Sequence, residues 1–152
     1  MPKILFVCLG NICRSPMAES IFRHKVDRAG LTESFVIESA GTGDWHVGDN
    51  PDPRTIRVLA QNGVHQFSRA RQFRTSDFVE FDQIIAMDLA NERDLRDWNG
   101  SVLHKVTLMA SWGDHGGRIE VPDPYYGDFD GFEEVFEMLD STTDGLLVKL
   151  TK

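Results

Sequence analysis

Residues 4–17 read ILFVCLGNICRSPM, and the change of character along this stretch decides the fold. Ile4 to Cys8 is an unbroken apolar run rich in β-branched and aromatic side chains, the pattern of a strand buried on both faces. A short loop follows, and Ser15-Pro16 then opens a helix, with Ser15 as the N-cap, Pro16 at the first helical position and Glu19 in the first turns. Met17, Ile21, Phe22 and Val26 give that helix one apolar face, and Gly30 ends it.

Outward from this unit the same alternation repeats. Phe35 to Glu38 reads as a second strand, and Ala40 to Asp52 as a loop rich in Gly, Asp and Pro. Pro53 to Asn62 is helical, closed by Gly63. Gln83 to Met87 is a third strand, Leu89 to Trp98 a helix and Val102 to Met109 a fourth strand. Loop signals fill Ser111 to Gly131, and Phe132 to Leu150 closes the chain as a helix whose Phe132, Val135, Phe136, Leu139 and Leu146 read as core. Strands separated by helices predict parallel βαβ units, hence an α/β domain spanning 1–152: a doubly wound, four-stranded parallel sheet with helices on both faces. Ligands of such sheets bind at the carboxyl ends of the strands, which is where the loop from Cys8 to Ser15 falls.

The 152 residues carry 16 Lys plus Arg against 24 Asp plus Glu, a formal net charge of -8. That balance argues against a partner bound by neutralising a phosphate backbone, so nucleic acid is excluded. The acidic and basic residues are segregated: Glu120 to Asp144 holds nine acidic residues and no Lys or Arg, while Arg54 to Ser76 holds five Arg and no acid. No run approaches the ~18 apolar residues of a membrane span, and the apolar start breaks at Gly10-Asn11, short of the ~7–15 residues of a secretory signal. Cys8 and Cys13 are the two cysteines, too few for a disulfide framework or a structural zinc site. His24, His46, His104 and His115 have no metal-ligand spacing. These features predict a protein of the reducing cytoplasm, without metal or cofactor and without membrane attachment.

The loop itself carries chemistry. A Cys at the end of a buried strand faces a helix N-terminus, whose partial positive charge favours the thiolate, the nucleophilic form. Arg14 lies six residues on and offers a planar fork that matches two phosphate oxygens. Gly10 and Asn11 tolerate left-handed backbone, so successive N–H groups from Leu9 to Cys13 can turn inward as an anion nest. Ser15 is placed to donate to the Cys8 sulfur. Taken singly, Cys8 reads as a small buried hydrophobe and Arg14 as a surface charge; their spacing across a strand-loop-helix junction reverses both readings. A nucleotide P-loop fails for want of Gly-Lys-Ser/Thr, and a dinucleotide fingerprint fails because Gly10 is the loop's one glycine.

CLGNICRSP near the N-terminus, with DPYYGDFDGFEEV from Asp123, resembles the low-molecular-weight protein tyrosine phosphatases. SAGT at Ser39 to Thr42, ARQF at Ala70 to Phe73 and AMD at Ala86 to Asp88 extend the resemblance over the whole chain. The resemblance implies a flavodoxin-like, phosphotyrosine phosphatase I-like fold and a hydrolase of phosphotyrosine in proteins and of small aryl phosphates. Cys8 would be the nucleophile, Arg14 with the amides of Leu9, Gly10, Asn11, Ile12 and Cys13 the phosphate site, and Asp123 the general acid and then the base.

Asn11, Ser15 and Ser39 would support the loop, and Ile12, Trp45, Tyr125 and Tyr126 would wall the pocket. Ile12 stands where relatives resembling arginine phosphatases carry Thr, which suits an aryl ester. Ser68 stands where His is common, implying a looser brace on Asn11. Cys13 would form a reversible disulfide with Cys8. Inorganic phosphate would be product and inhibitor, and the protein a monomer or weak dimer. An arsenate reductase of the same fold and a non-catalytic phosphopeptide-binding module are the alternatives. The acidic segment around Asp123 would deter very acidic phosphopeptides, tempered by the Arg-rich segment.

Overall fold

The apolar run at the N-terminus is strand β1 (Lys3–Cys8) of the computed structural model, which describes residues 1–98, 104–113 and 117–152. Its side chains alternate between two cores, as the period of two requires. Ile4, Phe6 and Cys8 face one cluster, and Leu5 and Val7 the other, where they meet Phe73, Phe78, Phe81 and Leu95. A strand covered on both faces has no polar positions to spare, which is why this stretch reads as continuous hydrophobe.

The remaining elements are α1 (Arg14–Arg28), β2 (Val36–Gly41), α2 (Pro53–Gln61), the single-turn α3 (Asp77–Glu80), β3 (Gln83–Ala86), α4 (Leu89–Trp98), β4 (Val106–Leu108) and α5 (Phe129–Leu150). The strands pair in the order β2-β1-β3-β4, all parallel. Helices α1, α2 and α5 pack together over the Ile4/Phe6 face, and α3 and α4 contribute Phe78 and Leu95 to the other. The chain leaves β1 toward β2 on one side and returns to β3 on the other, so the crevice between the carboxyl ends of β1 and β3 is the switch point. The doubly wound four-stranded sheet predicted from the alternation is the one observed.

Several boundaries differ, each for a physical reason. Helix α1 begins at Arg14 with Cys13 as its cap, and Ser15 caps nothing, because its hydroxyl is engaged with Cys8 and Asn11 instead. Strand β2 runs past its expected end at Glu38 through Ser39 and into Ala40 and Gly41, the start of the expected loop; pairing of Phe6, Val7 and Cys8 with these residues overrides their weak strand preference. Helix α5 starts at Phe129, three residues early. Phe132, Val135, Leu139 and Leu146 are fully buried along it, and Phe136 is half-buried at the core's edge. Its acidic residues are exposed, with Lys25 bridging Asp140 and Asp144 at 2.9 and 2.8 Å. Strand β4 is shorter than predicted; Val102 and Leu103, like His115, lie outside the described residues. Among the described residues, no helix is long and apolar enough to cross a membrane.

Candidate active site

Cys8 ends β1, and the chain then loops back to start α1 only six residues later. The loop's carbonyls are taken from outside: Thr42 N–H donates to Cys8, Gly43 N–H to Leu9, Asp52 N–H to Ile12 and Met17 N–H to Cys13. None of the amides from Leu9 to Cys13 meets an acceptor among the described residues, which leaves a ring of donors at the head of a helix, the arrangement that suits an anion. Asn11 alone of the non-glycine residues described has a positive φ, 56°. That conformation costs about 1–2 kcal/mol for an L-residue and is held by three bonds: Asn11 Nδ2 donates to Ser15 Oγ at 2.7 Å and Ser39 Oγ at 3.0 Å, and Oδ1 accepts from Arg71 N–H at 3.0 Å. Gly10, expected to share the left-handed role, instead makes room: a Cβ there would lie 3.2 Å from the His46 ring.

Ser15 Oγ lies 3.0 Å from Cys8 Sγ. Because Ser15 already accepts from Asn11, its own proton is free to point at the sulfur, with the Ala40 carbonyl a longer alternative at 3.5 Å. The brace on Asn11 is intact with Ser68 in place of the common His. Ser39 Oγ donates to Glu19 Oε1 at 2.5 Å, Ser68 Oγ donates to Glu19 Oε2 at 2.6 Å, and Arg23 adds a bond to the same carboxylate at 2.8 Å. Glu19 is buried and serves as the network's common acceptor.

Arg14 is also buried, with Nη1 donating to Asp88 Oδ2 at 2.6 Å and to the Val121 carbonyl at 3.0 Å. Burial works against its charge, but Cys8 and then Asp88 and Asp123 outweigh it and hold the guanidinium protonated. Its Nη2 stands 3.8 Å from Asp123 Oδ2. Asp123 is partly exposed at the mouth, and its Oδ1 accepts from the Tyr125 N–H at 3.1 Å. Val121 N–H donates to the Met87 carbonyl, which ties this segment to the end of β3. Burial, and after it the neighbouring Cys8, pushes the Cys13 thiol up. Cys13 is therefore a neutral thiol, and Cys8 is the loop's candidate nucleophile.

These groups line one cavity of about 290 Å³. Cys8, Ile12 and Arg14 belong to it with Asp123, and Trp45, His46, Tyr125 and Tyr126 complete its wall. Trp45 and Tyr126 are 68% and 92% exposed, so they form a rim rather than half-buried packing. The Tyr125 and Tyr126 rings meet edge to face at 4.9 Å. Every predicted catalytic and pocket residue is thus brought to one place, and Ser39 stands behind the loop. Sequence reasoning missed Asp88, Glu19, His46 and Arg54. Asp88, Glu19 and Arg54 each stand out locally, as an acid after a strand's carboxyl end, a charged residue inside an apolar helix face and a cation at a helix start, but nothing local shows what each one contacts, and His46 carries no such signal. Among the described residues no cluster of His, Cys, Asp or Glu could hold a metal ion.

Fold and site together define an α/β protein with a Cys-x5-Arg loop at the head of a helix and a carboxylic acid facing it across one pocket. A family model described as low molecular weight phosphotyrosine protein phosphatase matches residues 3–152, and the chain belongs to that family. The low molecular weight phosphotyrosine protein phosphatase of Schizosaccharomyces pombe is 50% identical over 139 residues, covering 90% of this chain and 89% of its own. A protein tyrosine phosphatase structure from Entamoeba histolytica superposes with a TM-score of 0.94 at 39% identity, covering 99% of this chain and 97% of that one. A Drosophila arginine phosphatase structure superposes at 0.90 with 31% identity, covering 99% and 98%.

Proposed function

We propose that the protein hydrolyses phosphotyrosine in proteins, and small aryl phosphates, through a cysteinyl-phosphate intermediate. The observation that carries this is the convergence of Cys8, Arg14 and Asp123 on one pocket beneath an aromatic rim. The Cys8 thiolate attacks phosphorus while the bond to the phenolic oxygen breaks, and Asp123 gives that oxygen its proton. Arg14 and the loop amides hold the three equatorial oxygens as charge develops on them. The Asp123 carboxylate then takes a proton from water, which attacks phosphorus, breaks the S–P bond and releases inorganic phosphate. Ser15, donating to sulfur, stabilises the thiolate both before attack and as the leaving group. One catalytic domain over 1–152, a reducing cytoplasmic setting consistent with two free cysteines, a monomeric or weakly dimeric state and a reversible Cys8–Cys13 disulfide belong to the same reading.

The apolar Ile12 in the pocket favours an aryl ester over phosphoarginine, and no cysteine follows Cys13 to serve the redox cycle of an arsenate reductase. Replacing Cys8 by Ser is expected to abolish p-nitrophenyl phosphate turnover while leaving phosphate binding and the fold. Undiminished turnover defeats the assignment, and faster release of phosphate from phosphoarginine than from phosphotyrosine peptides moves it to the other substrate.

A further inference from the structure

The segment that carries Asp123 lies outside any strand or helix from Val121 to Asp128, yet its carboxyl group has to meet a leaving oxygen to within a fraction of an ångström. Arg14 holds its start at the Val121 carbonyl, and beyond Asp123 a side chain of α2 fastens it. Arg54 is the second residue of α2, next to the Asp52 cap, where a cation runs against the helix dipole. Local helix chemistry therefore does not account for it. Its Nη2 donates to the Tyr125 carbonyl at 3.0 Å and its Nη1 to the Gly127 carbonyl at 3.1 Å. Its Nε and Nη2 grip the Asp52 carboxylate at 3.0 and 2.9 Å. The guanidinium carbon lies 4.3 Å from the centre of the Phe132 ring in α5. One turn on, Arg57 stacks over Phe129 at 4.0 Å.

The fork connects the two halves of the site. Asp52 N–H donates to the Ile12 carbonyl of the phosphate loop at 2.8 Å, so Arg54 reaches that loop through Asp52. On the other side Tyr125 is gripped at both ends: Arg54 holds its carbonyl, and its N–H holds Asp123 Oδ1 at 3.1 Å. We propose that Arg54 is the positioning residue for proton transfer, fixing the Tyr125–Gly127 turn, and through it the Asp123 carboxyl group, against the phosphate loop. This rests on the reading of Asp123 as the proton donor. The planar fork makes four bonds from three nitrogens, two of them to the separate oxygens of Asp52, and the three donors of a Lys ammonium on one nitrogen cannot replace it fully.

The test compares kcat/KM, which reports formation of the cysteinyl-phosphate, on phenyl phosphate and on 2,4-dinitrophenyl phosphate, whose leaving group needs no proton. Arg54→Ala is expected to lose about 10- to 100-fold on phenyl phosphate and less than about threefold on the dinitrophenyl ester, with inhibition by inorganic phosphate nearly unchanged. Arg54→Lys falls between it and the parent. In an Asp123→Asn background Arg54→Ala adds no further loss. Equal losses on both esters, or a further loss on top of Asp123→Asn, overturn the proposal. So does an Arg54→Ala variant indifferent to leaving group beside an Asp123→Asn variant that is sensitive to it. An Asp123→Asn variant that is itself indifferent overturns the proton-donor reading, and the proposal with it. If Arg54→Ala fails to fold, Arg54→Lys, which keeps a stem over Phe132, carries the same comparison, and equal losses on the two esters overturn the proposal there as well.

Discussion

Asp88 accepts from Arg14 Nη1 at 2.6 Å, and this contact sets the direction in which the buried guanidinium faces. The pair joins the first residue of α1 to the acid two residues beyond the carboxyl end of β3, across the switch point between β1 and β3. Two variants separate orientation from charge. Asp88→Asn keeps an oxygen acceptor but removes a negative charge that competes with phosphate, so inhibition by inorganic phosphate should be unchanged or stronger. Asp88→Ala removes the acceptor and leaves Arg14 with the Val121 carbonyl as its hydrogen-bond partner and the more distant Asp123 at 3.8 Å. It should weaken phosphate inhibition by about tenfold and destabilise by about 1–3 kcal/mol, less than the ~3–5 of a fully buried pair because Asp88 is 18% exposed. Inhibition constants and thermal melts decide, and unaltered phosphate inhibition in Asp88→Ala would remove its orienting role.

Glu19 supports the strained Asn11 at second hand, through Ser39, and ties in Ser68 and Arg23. Replacing it by Gln puts a donor where two hydroxyls need an acceptor, so one buried hydroxyl goes unpaired. The expected cost is about 1–3 kcal/mol, at roughly 2–4 °C per kcal/mol for a domain of this size. Turnover should fall as well, because Asn11 then loses its brace. Ser68→Ala removes only one of the carboxylate's bonds and should cost about 1 kcal/mol. A Glu19→Gln variant with the parent's melting temperature would show that the network does not stabilise the fold.

The division between what the sequence discloses and what it hides follows the range of the interactions. Ile4 to Arg14 is legible because its chemistry is local: a doubly buried strand, a loop and a helix start within eleven positions, with Cys8 and Arg14 at the ends of the loop. Ser15 reads as a cap because an N-cap is what a serine does by itself, and only the arrival of Asn11 and Cys8 gives its hydroxyl a better use. Ser39 to Gly41 has little intrinsic strand preference and joins the end of β2 through pairing with β1. Asp88 and Arg54 reach partners more than 70 residues away along the chain, and no pattern of composition or spacing announces such a contact.

Gly41 shows the same dependence on tertiary approach. It is the last residue of β2, and the phosphate loop passes so close that a Cβ would stand 2.8 Å from the Leu9 carbonyl oxygen and 3.1 Å from the Asn11 amide nitrogen. Both neighbours are backbone and cannot swing aside. Gly41→Ala should therefore displace the loop, costing about 1–3 kcal/mol of stability and at least about tenfold in kcat/KM. Phosphate inhibition should weaken in parallel, since the displaced amides are the ones proposed to bind it. Parent-like kinetics in Gly41→Ala would mean that the loop accommodates the methyl group without moving its donors.

Asp52 gives the protein a pH dependence whose sign can be worked out. Burial pushes its carboxyl group up, but hydrogen bonds from the Arg54 side chain and backbone N–H outweigh burial and hold it below the usual carboxylate range. A carboxylate whose folded value is depressed contributes stability that is fully present above the unfolded value of ~3.9 and is lost as pH falls through the folded value. Asn at this position keeps an N-cap acceptor for the Arg54 N–H, so Asp52→Asn removes the charge while sparing the cap. The difference in unfolding free energy between parent and Asp52→Asn should be constant from about pH 7 to pH 5 and shrink below about pH 4. Urea denaturation at pH 7, 5, 4 and 3 would measure it, and a difference that stays level or widens toward pH 3 would contradict the Arg54–Asp52 coupling on which the link between the two loops depends.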